Sequence, residues 1–120
     1  MEEFIPASQA ENDCYNFSLD LSDSLAYYDV ILYTRSDDPK PEKDFVAIYA
    51  LWYSPDSLLT HAERFALPTG GRRGKVSVYR EDLHLRPGVW RLMLNHEPGE
   101  PSIRGIGLSL KKHENPYGTR

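Results

Sequence analysis

Cysteine is nearly missing from this 120-residue chain: Cys14 stands alone, so no internal disulfide can form and cysteine usage does not assign a redox compartment. Positive charge is not in excess either. Fourteen Lys and Arg face 18 Asp and Glu, a formal net charge of -4 spread along the chain, which leaves no basic field for phosphates. Nucleic acid is therefore not an expected partner. No apolar run approaches the roughly 18 residues that cross a bilayer. The amino-terminal MEEFIPASQAEND is acidic where an export signal is basic and then greasy, so export would require a signal removed from the sequence as written.

Catalytic and metal-binding signatures are scarce as well. There is no Gly-x-Ser-x-Gly elbow, and Cys14 has no flanking signature of a nucleophile, so no enzyme is expected and no catalytic residue is assigned. His96, Glu97 and Glu100 share one loop but lack the spacing of a helical zinc motif, and they read as solvated loop residues. Asp37, Asp38, Glu42 and Asp44 could gather calcium, yet Lys40 and Lys43 sit among them and no glycine supplies the sharp turn; solubility is their plainer role. Gly70, Gly74 and Lys75 fall one residue short of a phosphate loop, with no Ser or Thr following, and read as a reversal with exposed arginines. No cofactor and no metal ion is expected.

What the chain does have is alternation. Phe17, Leu19 and Leu21 are spaced by polar residues, as in a strand with one face on a core. The segment Tyr27 to Arg35 carries four consecutive large residues, Val30 to Tyr33, and Asp44 to Tyr53 is apolar on both faces, which predicts central strands at least partly covered on both sides. Glu63 to Leu67, Val76 to Arg80, Val89 to Asn95 and Ile106 to Leu110 add shorter strands, the last two forming the best-patterned hairpin around a Pro- and Gly-rich loop. Ser57 to Ala62 is too short for more than one capped helical turn. Ser36 to Lys43 reads as a solvated loop and Thr69 to Lys75 as a tight reversal.

The expected fold is all-β: an antiparallel β-sandwich of about seven to eight strands, with jelly-roll and immunoglobulin-like topologies both open. The expected division is a flexible arm over residues 1–13, the sandwich over 14–112 and a tail over 113–120. A chain of this length buries roughly 65% of its extended surface, enough for one core.

The binding expectation rests on aromatics. With Val46, Ile48, Ala50 and Trp52 on a core, Tyr49 and Tyr53 fall on the opposite face, and Tyr33 with Arg35 could join them from the preceding strand. Such a patch stacks on sugar rings or anchors protein partners. Because Phe45, Leu51 and Ile31 would share that face, a covering loop or the amino-terminal arm is expected over it.

Several segments carry a likeness. Phe17-Ser18-Leu19-Asp20, the Tyr28 to Arg35 strand ending in arginine, Gly88-Val89-Trp90-Arg91-Leu92 and Arg104-Gly105-Ile106-Gly107-Leu108-Ser109-Leu110-Lys111-Lys112 resemble the gliding-motility-associated lipoproteins of Gram-negative bacteria, over about residues 15 to 112. The resemblance implies a non-enzymatic cell-envelope protein of the periplasm or outer membrane that works through protein contacts beside a gliding or secretion apparatus. It implies membrane attachment only through a lipid on a cysteine after a signal peptide. Cys14 follows Glu11-Asn12-Asp13 instead of small apolar residues, so neither signal nor anchor is in this sequence. The alternative function is a carbohydrate-binding module using the aromatic face.

Overall fold

Eight antiparallel strands form two four-stranded sheets in a computed structural model that describes residues 1–35, 44–69 and 76–114. They are β1 (Glu2–Pro6), β2 (Cys14–Asp20), β3 (Tyr27–Arg35), β4 (Phe45–Tyr53), β5 (Leu59–Pro68), β6 (Val76–Leu83), β7 (Val89–His96) and β8 (Gly105–His113). Sheet A has the order β1-β8-β3-β6 and sheet B the order β2-β7-β4-β5. This is the jelly-roll arrangement, which resolves the topology left open by the strand pattern.

The core lies between the sheets. Alternation along each strand sends Tyr15, Phe17 and Leu19 of β2, Ile48, Ala50 and Trp52 of β4, and Leu92 and Leu94 of β7 inward from sheet B. Val30 and Leu32 of β3 with Ile106 and Leu108 of β8 face them from sheet A. Each large side chain here is essentially inaccessible to water, and each such burial is worth about 1.5–3 kcal/mol. Polar groups carried inside have partners: Trp90 Nε1 donates to the Arg86 carbonyl at 2.8 Å, and Thr34 Oγ1 to the Pro68 carbonyl at 2.8 Å.

Four expectations change. The segment Val89 to Leu110 is not a hairpin: β7 pairs with β2 and β4, β8 pairs with β1 and β3, and the Pro/Gly loop crosses between sheets. Among the described strands β4 and β5 are the consecutive pair that shares a sheet. Their turn uses Ser57 at a φ of 64°, with its N–H donating to the Ser54 carbonyl at 2.8 Å, and β5 is already extended at Leu59 where a helical turn was considered. The stretch read as a free arm instead supplies β1, held along β8 from Glu2 opposite Ser109 to Pro6 opposite Gly105. Strand β8 runs on to His113, into the expected tail. The acidic loop of residues 36–43, the Gly70, Gly74 and Lys75 reversal and residues 115–120 lie outside the described residues.

Candidate functional site

The outer face of sheet B is built on β4, which lies between β7 and β5. Because Val46, Ile48, Ala50 and Trp52 are buried, the period of two turns Phe45, Tyr49, Leu51 and Tyr53 outward. Opposite them on β7 stand Asn95, Met93 and Arg91, paired with Tyr49, Leu51 and Tyr53 in turn. Phe45 is 54% exposed and Tyr49 39%, so the expected cover is absent at these two residues, while Ala47 between them is buried where Glu97 and Glu100 bond its backbone. The arm pairs at the far edge of sheet A instead, and Ile31 belongs to β3 in that sheet. Tyr49 and Tyr53 are four residues apart, about 13 Å along a strand, too far for one sugar ring to stack on both. The Arg91 guanidinium sits 4.5 Å from the Tyr53 ring centroid and occupies one of its faces. At the rim, Arg64 Nε and Glu97 Oε2 pair at 2.5 Å.

Tyr33 and Arg35 do not join this patch. Consecutive strands β3 and β4 lie in different sheets, so these two side chains occupy the opposite outer surface of the molecule. There Tyr33 lies over Gly107, stacks on Phe4 at 6.2 Å between centroids, and donates from its hydroxyl to Glu2 Oε2 at 3.2 Å. Arg35 lies 5.5 Å from the Phe4 ring centroid and 5.7 Å from that of Tyr33. Burial, reinforced by Glu2, pushes the Tyr33 phenol up. The group clamps β1 onto β8.

The loop residues His96, Glu97 and Glu100 are drawn to separate partners. His96 Nε2 lies 2.7 Å from the Pro101 carbonyl, Glu97 pairs with Arg64, and Glu100 Oε1 accepts the Ala47 N–H at 3.1 Å. Their arrangement closes the loop onto β4.

Two features came from no sequence pattern. The first is a cleft of about 440 Å³ where the edges of the two sheets part, walled by Trp52, Trp90, Leu83 and Leu85 with His61 and Arg80 among its polar lining. Beside it Trp52 Nε1 donates to the Tyr79 hydroxyl at 3.0 Å, Tyr79 in turn donates to Glu63, and Glu63 also pairs with Arg80 and, at 3.5 Å, with His61. Burial pushes the Tyr79 phenol well up, and the Glu63 hydrogen bond adds to it. Burial also acts to raise Glu63, but Tyr79, Arg80 and His61 outweigh it and hold the carboxyl below its ordinary range. Glu63 is thus a charged anchor near neutral pH and a poor proton donor.

The second is a convergence of Asp29 from β3, Asp82 from β6 and His113 from β8 on the outer face of sheet A, with one ligand-type atom of each within 4.8 Å of the others. His113 Nε2 lies 3.1 Å from Asp29 Oδ1 and 3.1 Å from Asp82 Oδ1, while the Asp82 N–H donates to Asp29 Oδ1 at 3.0 Å. The Tyr27 ring stacks on His113 at 6.3 Å and on His84 at 4.6 Å. Burial acts to raise Asp29, yet the Asp82 N–H, His113 and Lys111 together hold it low. The three residues are up to 84 positions apart, so no local spacing could reveal them. Compared with protein-family models, with curated proteins and with solved structures, the chain gives no match.

Proposed function

We propose that this chain is a non-catalytic interaction domain that docks a protein partner through the outer face of sheet B. One observation carries the reading: Phe45 at 54% and Tyr49 at 39% stand open to water on the outer face of β4, with half-buried Leu51 and Met93 next to Tyr49, and large apolar groups left open in this way favour a covering partner. The mixture of aromatic and aliphatic side chains rimmed by Arg64, Glu97 and Arg91 fits the apolar centre and polar edge of protein interfaces. The setting, a cell-envelope assembly in periplasm or outer membrane, rests on the likeness of the Gly88–Leu92 and Arg104–Lys112 segments to gliding-motility-associated lipoproteins.

A photo-crosslinking residue placed at Tyr49, compared with one at Val78 on the outer face of sheet A, tests this. The expected result is one defined protein adduct from position 49, absent from position 78 and lost when Phe45→Ser is added. Equal labelling from both positions would sink the proposal. The carbohydrate alternative keeps Tyr49 as a single open ring, and calorimetry against envelope polysaccharides separates it: saturable heat abolished by Tyr49→Ser would replace protein with sugar as the occupant.

A further inference from the structure

We propose that Asp29, Asp82 and His113 bind a divalent transition-metal ion, of the zinc, manganese or cobalt class, on the outer face of sheet A. The geometry carries the argument. A metal with donor bonds of about 2.1 Å holds neighbouring ligands about 3.0 Å apart when octahedral and about 3.4 Å apart when tetrahedral. The imidazole Nε2 already lies 3.1 Å from an oxygen of each carboxylate, so both of these donor pairs have the spacing of neighbouring ligands on one ion. One imidazole nitrogen carries at most one hydrogen and can direct it well to only one of two acceptors. An ion satisfies both.

The donor set comes from three strands of one hydrogen-bonded sheet, not from a solvated loop, and strands hold donors more rigidly than loops do. Supports for the first ligands are in place too. The Asp82 N–H anchors the Asp29 carboxylate and the Tyr27 ring backs His113, the kind of outer contact that orients ligands around metals. Two carboxylates and one imidazole leave positions for water, and they suit nitrogen- and oxygen-seeking ions over thiophilic ones. Lys111, opposite Asp29 on β8, offsets part of the negative charge and so moderates the hold of the two carboxylates on a cation.

The test is calorimetric titration of the untagged full chain with Zn²⁺ and, separately, Co²⁺, read together with thermal melting. One equivalent is expected to bind and to raise the melting temperature, since a ligand that prefers the native state stabilises it. Asp82→Asn keeps a residue that tolerates the left-handed backbone at position 82, whose φ is 55°, and Asp29→Asn keeps an acceptor for the Asp82 N–H. Each variant should fold and should bind about tenfold or more weakly. In titrations with diamagnetic Zn²⁺ followed by nitrogen-15 NMR, the His113 Nε2 resonance should be the imidazole signal that moves most. No saturable heat with either ion, or an affinity that either variant leaves unchanged, would mean a protonated imidazole bridging two carboxylates and nothing more.

Discussion

Glycine matters at position 107 because of what fills the space its side chain would take. A Cβ built there would lie 2.0 Å from Tyr33 Cζ, so the ring of the cross-strand neighbour covers the glycine as a lid. Such pairing of an aromatic with a glycine lets a bare stretch of sheet keep apolar cover. At Gly88 the constraint is the backbone: φ is 141°, and an added Cβ would meet Pro55 Cγ at 2.5 Å. Gly107→Ala should therefore cost about 1–3 kcal/mol by overpacking, and much of that cost should vanish in a Tyr33→Ala background where the ring is gone. Urea unfolding of the two single variants and the double variant checks it. Strict additivity of the two changes would show that the ring is not the obstacle.

Strands β5 and β6 sit at the edges of opposite sheets, and the charged link across them has a pH signature. Glu63 of β5 takes hydrogen bonds from Tyr79 and Arg80 of β6, and its folded pKa is held below the unfolded value of about 4.3. A depressed carboxyl stabilises fully above the unfolded value and loses that contribution as pH falls through the folded one. Stability should thus decline on acidification below about pH 5, and Glu63→Gln should flatten part of that slope while costing about 1–3 kcal/mol at neutral pH. Asp29, held low in the same way, supplies some of the remainder. Denaturation at a series of pH values in both proteins decides it: parallel profiles would remove Glu63 from the account.

This element scale is also where reading from sequence succeeds and stops. Alternation told which residues of β2, β4 and β7 face the core, and placed Tyr49 and Tyr53 together on the far side of β4. Period two reports a strand's buried face but not which sheet the strand joins. So β7 and β8 looked like a hairpin, and Tyr33 and Arg35 looked like neighbours of Tyr49, when each pair is split between the sheets. Gly105 and Gly107 share one face of β8, where the missing side chains leave room for β1 and for Tyr33. The cleft and the Asp29, Asp82 and His113 group arise only when distant strands meet, and their residues carry no mark of that in the chain.

Across the whole molecule the two sheets present unlike exteriors. Sheet B carries the exposed Phe45 and Tyr49 among polar neighbours such as Arg64, Arg91 and Asn95, while the outer side of sheet A holds the Phe4, Tyr33 and Arg35 stack towards β1 and the Asp29, Asp82 and His113 group shared by β3, β6 and β8. A partner on one side and an ion on the other would not compete for space. The order of strands has a further consequence, and it concerns time. Apart from β4 and β5, each described strand is followed by one in the opposite sheet, and β1 finds its partner in β8 near the other end. Little of the native pairing can form locally, so loop-closure entropy is paid before contacts repay it. Stopped-flow refolding should accordingly take milliseconds to seconds, and a microsecond phase carrying the full amplitude would contradict it. During that interval the long edges of β8 and β3 are open, and the chain is at its most vulnerable to pairing with another copy of itself.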